Sequence, residues 1–528
     1  MPFLLRNLTI TLEEGGDTLL AERLRARLAV PGEQLVSFTV VRKGVDARRK
    51  KQIKFVYTIA FRVADEDQFR QARLGDPEIE FLEERQEPVF PQLAAGKRIV
   101  VAGMGPAGLF AALRLSAYGL TPTLIERGKP VEERVRDVQA FWGTGALDPE
   151  SNVQFGEGGA GTFSDGKLTT RLRDANIDYI LRELVRFGAP GDILFQAKPH
   201  IGTDRLRGVV ANIRRHLEGR GVAIRFRTRL TDIIPGGDRL SAVILDEREE
   251  CCCDMLVLAP GHSARDTYRM LLNRGIRIEP KPFAVGVRVE HPQGLINRIQ
   301  YGMMSHPLLP PADYALAWNN TRTGRSAYSF CMCPGGEVIA GSSEEGGIVT
   351  NGMSLYSRSS PRANSALVVT VGSNDFGDAS PLAGVEFQRL LERRAFVAGG
   401  GDYRAPAQNL LAFLNGKGGC PVAASYRPGV READLSLIFP GFVTATLRDG
   451  IRQFDKKMHG FVSGEACLIG VETRTSAPVR IVRGEDLQSV SLRGLYPAGE
   501  GAGYAGGIMS AALDGVRIAD SIASQFIL

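Results

Sequence analysis

The stretch from residue 98 to residue 128, RIVVAGMGPAGLFAALRLSAYGLTPTLIERG, constrains the fold of this chain most strongly. Gly103, Gly105 and Gly108 follow a short apolar run in G-x-G-x-x-G spacing, a helical pattern comes next, and a second apolar strand ends in Glu126. The first glycine permits a tight turn, the second lets backbone approach a pyrophosphate, and the third lets helix and strand pack closely. Glu126, 23 residues beyond Gly103, stands where an acid binds ribose hydroxyls. The stretch therefore predicts a dinucleotide site with the diphosphate at the helix N-terminus.

The composition fits an ordinary soluble globular protein of 528 residues with two to four domains. It has no run of 18 apolar residues and begins without the basic and long apolar regions of a signal peptide, so we expect neither a membrane helix nor a leader. Seven cysteines, three of them contiguous at residues 251–253, do not resemble a disulfide framework and predict a cytoplasmic protein. Cys331 and Cys333 form a C-x-C motif. The favoured interpretation of this motif is two thiols packed in a strand, and the alternative is a redox pair. The sequence has no zinc-site spacing, so we expect no metal.

The net charge of +6 is concentrated in one segment. Residues 42–54, RKGVDARRKKQIK, hold seven basic residues and one acid, so the rest of the chain sums to zero. This basic turn could contact nucleic acid or another polyanion, or it could be a solvated hairpin or a lid over cofactor phosphates. The turn has no interleaved aromatic residues, which favours the hairpin or lid and makes a nucleic-acid partner unexpected.

Residues 1–95 form a separate small module in this interpretation. Its pattern predicts a strand, a helix that Asp17 caps, and two further strands joined by the basic turn: Leu8–Leu12, Asp17–Ala29, Gln34–Val41 and Ile53–Val63. This order suggests a ferredoxin-like α+β unit. Pro88 and Pro91 mark a linker to the next domain.

Three later segments extend the dinucleotide site. Residues 152–168, NVQFGEGGAGTFSDGKL, contain five glycines. We interpret them as a second cofactor-contact loop, which is favoured over a flexible surface loop. A strand over residues 222–234 and another over residues 255–259 follow, the latter running into the turn Ala259-Pro260-Gly261-His262. At the C-terminal end, residues 494–523 predict a strand, a glycine loop with Glu500, and a helix that Gly506 and Gly507 begin. A helix N-terminus there would stabilise negative charge on a flavin pyrimidine, so the three elements together favour FAD over NAD.

These predictions define an α/β chain with a discontinuous Rossmann-type FAD domain. That domain comprises residues 96–270 and 485–528, and residues 271–484 form a β-rich substrate or cap insertion. The chain lacks a second G-x-G-x-x-G turn, so we expect no dedicated nicotinamide domain.

The motifs resemble those of the bacterial FAD-dependent dehydrogenases, a family of NAD(P)/FAD-dependent oxidoreductases with a glutathione-reductase-type FAD domain and few assigned substrates. The likeness covers nearly the whole chain through VVAGMGPAGLFAA, NVQFGEGGAGTFSDGKL, LVLAPGHSARDTY, SFCMCPGGEVI, VTNGMS, GVETRTSAPVRI and YPAGEGAGYAGGIMSAA. It implies non-covalent FAD, with NAD(P)H as a transient donor. Pro260 departs from the family's usual Thr, which puts one contact in doubt. The motifs and the resemblance together predict these cofactor residues: Gly103, Gly105, Pro106, Ala107, Gly108, Glu126, Arg127, Gly159, Gly161, Thr162, Ser164, Leu230, Ala259, Gly261, Gly499, Glu500, Gly506, Gly507 and Ile508.

The expected activity is that of an FAD-dependent oxidoreductase, which passes hydride between flavin N5 and a small-molecule substrate. Arg474 could anchor an anionic substrate through its guanidinium fork or form a structural ion pair, and the two roles weigh equally. Lys167 is expected near N5 or the pyrimidine edge. His200 and His262 are candidate proton donors, although a structural hydrogen bond is the favoured role for each. The alternatives are a flavin monooxygenase and a flavin-containing RNA-binding or RNA-modifying protein that uses the basic turn.

Overall fold

The protein is a mixed α/β chain, seen here in a computed structural model that describes residues 3–82, 90–94, 96–416 and 424–526. It divides into two compact units. The first comprises Met1–Val89, Pro190–Pro199 and Gly294–Ala312, and the second comprises Phe90–Ala189, His200–Gln293 and Asp313–Leu528. The predicted domain boundary at residue 95 and the linker residue Pro88 lie outside the described residues.

The strands and α-helices are numbered here in sequence order. The strands are β1 (Phe3–Thr11), β2 (Leu35–Asp46), β3 (Lys54–Val63), β4 (Ile79–Phe81), β5 (Ile99–Ala102), β6 (Thr123–Ile125), β7 (Ala223–Arg225), β8 (Leu230–Gly236), β9 (Arg239–Leu245), β10 (Glu249–Cys252), β11 (Met255–Leu258), β12 (Ile278–Pro280), β13 (Phe283–Pro292), β14 (Ala317–Asn319), β15 (Ser326–Cys333), β16 (Gly336–Ala340), β17 (Thr350–Ser354), β18 (Arg362–Val371), β19 (Ala405–Asn409), β20 (Val430–Glu432), β21 (Cys467–Glu472), β22 (Val479–Ile481) and β23 (Leu495–Pro497). The α-helices are α1 (Leu20–Leu28), α2 (Glu66–Ala72), α3 (Pro106–Ala117), α4 (Val131–Thr144), α5 (Asn176–Arg186), α6 (Thr203–Gly219), α7 (Arg265–Asn273), α8 (Gln293–Tyr301), α9 (Ala383–Gly399), α10 (Leu410–Asn415), α11 (Gly441–Lys457) and α12 (Ile508–Ser524).

The first unit contains a four-stranded antiparallel sheet in the order β2-β3-β1-β4. Strand β2 pairs with β3 as far as Asp46, so the strand continues well past the predicted end at Val41 and only the tip of the basic segment is a turn. Asp17 does not cap α1, because its carboxylate accepts hydrogen bonds from Lys43 Nζ at 2.7 Å and Tyr57 Oη at 2.5 Å.

The second unit is built on a parallel sheet of five strands in the order β23-β11-β5-β6-β7. The central strands β5 (IVVA) and β11 (MLVL) are apolar throughout and buried on both faces, as is typical of parallel sheets covered by helices. Because the strands are parallel, the turns after β5, β6, β11 and β23 meet at one edge of the sheet. The candidate site lies at this edge.

The predicted strand over residues 222–234 is wrong as a single element. Residues 223–225 form β7 in the parallel sheet, whereas residues 230–236 form β8 in a separate antiparallel sheet with β9 and β10. The chain turns at Arg227, which has φ +53°, and the N–H groups of Arg227 and Thr228 bond to the carbonyls of Gly128 and Glu126 at 2.9 Å. These tertiary bonds interrupt an otherwise strand-like pattern.

Residues 271–484 contain a seven-stranded sheet in the order β14-β15-β18-β13-β21-β19-β20. Helices α9, α10 and α11 lie between its strands in sequence. None of the helices in the described part of the chain has the length and apolar character needed to cross a membrane.

Candidate functional site

A cavity of about 770 Å³ lies at the carboxyl edge of the parallel sheet. Its walls come from four segments that are far apart in sequence: residues 102–107, 154–172, 258–264 and 498–511. The remaining wall includes residues 125–127 and 228–230, Phe330, Cys331 and Glu472 of the seven-stranded sheet, Asn351 of the two-stranded sheet β16-β17, and Arg474 in the loop after β21.

Each glycine of the first turn is required for a different steric reason. Gly103 has φ +104°, and a Cβ there would lie 2.2 Å from the carbonyl oxygen of Ala259. A Cβ on Gly108 would lie 1.9 Å from the carbonyl oxygen of Gly103, which explains how closely α3 approaches the turn. Gly105 has room for a Cβ, whose nearest neighbour would be Gly159 at 3.9 Å, so bare backbone faces the cavity there. Helix α3 begins beside it without a side-chain cap, leaving N–H donors for an anion.

Glu126 is a preorganised acceptor at the end of β6. Its carboxylate accepts hydrogen bonds from the backbone N–H groups of Met104 at 2.8 Å, Gly128 at 2.9 Å and Gly156 at 2.9 Å. A carboxylate offers about four acceptor positions. The remaining position is available to a hydroxyl group in the cavity, which Glu126 lines.

The glycine-rich loop after residue 152 is shaped by Arg134, a residue of α4 that the sequence did not single out. Its fully buried guanidinium donates to the carbonyls of Asn152 at 2.8 Å, Val153 at 2.9 Å, Glu157 at 2.6 Å and Gly159 at 3.0 Å. Burial lowers the pKa of Arg134 to about 10, so the side chain remains a cation at neutral pH. The position of Arg134 in an amphipathic, charged helix gave no sign of this role.

A second ion pair holds the far end of the same loop. Asp165 is buried and pairs with Arg358 at 2.5 Å, and it also accepts a hydrogen bond from Ser354. This anchoring fixes the backbone next to Lys167, which lines the cavity.

The turn after β23 carries Glu500. The N–H of Gly499 donates to Asp514 of α12 at 2.7 Å, and Asp514 is paired with Arg483 at 2.6 Å. Burial raises the pKa of Glu500 to about 7, with Lys281 opposing the shift. Gly506 and Gly507 precede Ile508, the first residue of α12, and a Cβ on either glycine would meet open space.

Arg474 lies in a network of hydrogen bonds. Its Nε and Nη2 bind Glu392 at 3.1 Å each, and its Nη1 donates to Ser343 at 2.6 Å and Ser263 at 2.9 Å. The Ser263 hydroxyl lies 2.9 Å from Nδ1 of His262. Burial, together with the charge of Arg474, lowers the pKa of His262 to about 3, so this imidazole is neutral at physiological pH.

Glu392 is the centre of that network and is a residue that no sequence motif indicated. It also accepts bonds from Arg265 at 2.8 and 3.0 Å, and Arg265 reaches Glu344 at 2.7 Å. Burial alone would raise the pKa of Glu392, but the two arginines hold it at about 2. Glu392 lies on α9, more than 80 residues from Arg474 and 120 from Arg265, so no local pattern could have linked them.

Most of the residues predicted for the site line this one cavity. They are Gly103, Gly105, Pro106, Ala107, Glu126, Arg127, Gly159, Gly161, Ser164, Lys167, Leu230, Ala259, Gly261, His262, Arg474, Gly499, Glu500, Gly506, Gly507 and Ile508.

Three predicted residues are not among the described residues that line it. Gly108 lies within α3 against the turn. Thr162 is buried and donates to the Glu157 carbonyl at 3.2 Å. His200 bonds to the Tyr356 carbonyl at 3.0 Å and stacks on its ring.

Known proteins resemble the chain at the level of sequence. Residues 282–475 match the family model "FAD-dependent protein, C-terminal domain-like", and residues 4–62 match a domain of unknown function, DUF8436. An uncharacterised protein of Clostridium beijerinckii is 43% identical over 535 residues, covering 100% of this chain and 99% of the relative.

Similarity to solved structures is lower. The flavin-dependent brominase Bmp2 is 13% identical, with 82% of this chain and 79% of that chain covered and a TM-score of 0.36. A flavocytochrome c3 fumarate reductase in an open conformation is 12% identical, with 82% and 78% covered and a TM-score of 0.34. CtdE in complex with FAD is 10% identical, with 81% and 84% covered and a TM-score of 0.31.

The cavity fits the cofactor of the matched family, because it combines a bare glycine turn at a helix N-terminus with an acceptor carboxylate at the end of the next strand. Together with the full-length relative, this fit identifies the chain as a member of the family of FAD-dependent proteins, with FAD as its cofactor.

Proposed function

We propose that the chain is an oxidoreductase that passes hydride between FAD and a small-molecule substrate. One observation carries the proposal: the N-termini of α3 and α12 and the carboxylates of Glu126 and Glu500 all meet in one cavity. The two helix ends favour negative charge, and the two carboxylates accept hydroxyl groups. A dinucleotide with a polyol arm and a ring that gains charge on reduction satisfies both requirements.

The cofactor residues take the following proposed roles. The turn at Gly103 and Gly105 and the start of α3 hold the pyrophosphate, and Glu126 accepts the ribose hydroxyls. Glu500 accepts the ribityl hydroxyls, and the start of α12 faces the pyrimidine edge. The architecture in this proposal is a Rossmann-type FAD domain with residues 271–484 inserted and a ferredoxin-like module at the start. The β-α-β-β-α-β order and antiparallel sheet of the first unit support the last assignment.

FAD, when bound, supplies a hydride acceptor or donor at its N5. Arg474 acts as a positioning residue, since its bonds to Glu392, Ser343 and Ser263 engage Nε and both terminal nitrogens. In the proposed arrangement the Ser263 hydroxyl accepts a hydrogen bond from Arg474 and donates one to Nδ1 of His262, so that Nε2 of His262 carries the imidazole proton. Neutral His262 thus offers a hydrogen bond to a substrate, and Lys167 supplies the positive charge for an anionic group.

Flavin content tests the cofactor site directly. Gly105→Leu should lose bound FAD and keep the fold, because the position has room for a Cβ but the longer side chain enters the cavity. Gly208→Leu, at an exposed position of α6 with open space around it, is the matched control and should retain FAD. Flavin absorbance after gel filtration measures occupancy, and circular dichroism measures folding. Full occupancy in Gly105→Leu would place the cofactor elsewhere.

The reaction class is tested by anaerobic mixing with NADH and with NADPH, each followed at the flavin absorbance band. Bleaching by either supports a nicotinamide donor that binds transiently. The reduced protein is then exposed to oxygen with candidate substrates. Incorporation of an oxygen atom into product would overturn the dehydrogenase assignment in favour of a monooxygenase.

A further inference from the structure

Two cysteines meet at the wall of the FAD cavity. Cys331 lines the cavity and is half-buried, and Cys333 is fully buried beside it. In a regular strand, side chains two residues apart share a face but are separated by about 6.6 Å along the strand, too far for a disulfide. Here the register of β15 against β18 shifts between Phe330 and Cys333, and Cys331 has φ +45°. The kink places Cys333 Sγ 3.4 Å from the backbone carbonyl oxygen of Cys331, to which the thiol donates a hydrogen bond.

The surroundings of the pair favour one thiolate. The hydrogen bond from Cys333, with the charges of Lys167 and Arg288, lowers the pKa of Cys331. The same hydrogen bond, with burial, raises the pKa of Cys333. Arg288 is fixed in place by Glu472 at 2.9 Å and donates to the Cys331 carbonyl at 3.1 Å. These shifts favour a thiolate on Cys331, and the thiolate is the form from which thiols react.

The other described cysteines, including the half-buried Cys251, lie outside the cavity lining. Burial raises the pKa of Cys253 and Cys467 to about 12, so both are unreactive thiols. Cys252 is exposed on β10 and lies outside the cavity lining.

We propose that Cys331 and Cys333 are a redox-active dithiol that exchanges one electron pair with FAD. In the oxidising direction the Cys333 S–H bond breaks and an S–S bond forms to the Cys331 thiolate. The electron pair and the proton pass to FAD, the oxidant of the step, and the reverse step reduces the disulfide. The proposal rests on the proposed function, because it requires the flavin ring to lie beside Cys331 and Glu500. Both residues line the cavity, and the charge of Cys331 contributes to the raised pKa of Glu500.

Peptide mapping of the wild-type holoprotein tests the pair without any substitution. Trypsin releases both cysteines in one peptide, residues 326–358. Air-oxidised holoprotein, denatured in an alkylating reagent, should yield this peptide unalkylated and lighter by two hydrogen atoms than the dithiol form. Dithionite treatment before alkylation should yield it with both cysteines alkylated. A fully alkylated peptide from air-oxidised holoprotein would overturn the proposal.

A reductive titration distinguishes this inference from the function on which it rests. The wild type should take up one electron pair for FAD and a second for the disulfide, whereas Cys331→Ser and Cys333→Ala should take up only the first. Cys252→Ser is the matched control and should behave like the wild type. Uptake of a single pair by FAD-loaded wild type overturns the dithiol and leaves the flavin assignment intact. Protein that purifies without FAD and does not bind added FAD overturns both.

Discussion

At the scale of single residues, Gly108 has no room for a methyl group. A Cβ there would overlap the carbonyl oxygen of Gly103 and crowd Val101 at 3.3 Å. Val101 lies in β5, and the N–H of Gly103 bonds to the carbonyl of Ile125 in β6 at 2.8 Å, so neither neighbour can move freely. Gly108→Ala should therefore lower the free energy of unfolding by about 3 kcal/mol. Gly208→Ala, also within a helix but with open space around it, should raise that free energy by about 1 kcal/mol. Urea unfolding followed by circular dichroism measures both, and equal effects would contradict the close approach of α3.

Glu500 makes the stability of the FAD-free protein depend on pH. Its pKa is raised from 4.5 to about 7, so the folded state binds the proton more tightly than the unfolded state does. The resulting stabilisation is complete below the unfolded value and is lost as pH rises through the folded value. Glu500→Gln does not titrate, so its Tm relative to the wild type should increase between about pH 5 and about pH 8.

Differential scanning fluorimetry across this pH range measures the effect. The matched control is Glu465→Gln, because Glu465 is exposed on the surface and outside the cavity lining. Its Tm should follow that of the wild type at every pH. A constant difference between Glu500→Gln and wild type would contradict the raised pKa of Glu500.

At the scale of elements, the predictable parts of the chain are those whose partners are close in sequence. The spacing from Gly103 to Glu126 lies within one strand-helix-strand unit, so local rules suffice for it. Glu392 could not be assigned, because only the tertiary fold brings its partners Arg265 and Arg474 near. Arg134 lies close in sequence to the loop it binds, but no motif specifies an arginine that donates to loop carbonyls. The wrong strand over residues 222–234 has the same origin, since the bonds that turn the chain at Arg227 come from the turn after β6.

Helix α12 depends on one buried ion pair for its hold on the Glu500 turn. Asp514 accepts from Gly499 N–H and pairs with Arg483, and both side chains are nearly inaccessible. Asp514→Ala leaves a buried arginine unpaired and should cost about 3–5 kcal/mol of unfolding free energy, with weaker FAD binding. Asp449→Ala breaks an exposed pair with Arg452 on α11 and should cost at most about 0.5 kcal/mol. Chemical denaturation and FAD titration measure the two variants, and similar costs would show that the buried pair does not hold the turn.

At the scale of the whole molecule, the described lining of the FAD cavity comes entirely from the second compact unit. A ligand that binds only the folded state stabilises what it contacts, by about 2.7 kcal/mol at one hundred times its Kd. The segments that line the cavity run from residue 102 to residue 511, so FAD bound in it would link parts of the chain that are about 400 residues apart. The stabilisation should extend over the parallel sheet and its covering helices.

Amide hydrogen exchange with and without FAD tests this expectation segment by segment. Protection should increase in β5, β11, α3 and α12 of the second unit, because their opening requires release of the cofactor. The strands β1–β4 of the first unit contribute no described residue to the cavity and should exchange at unchanged rates. The FAD-deficient Gly105→Leu variant with added FAD serves as the control and should show no change in either unit. Equal protection of both units would mean that the chain unfolds as one cooperative body, to which FAD binding is coupled throughout.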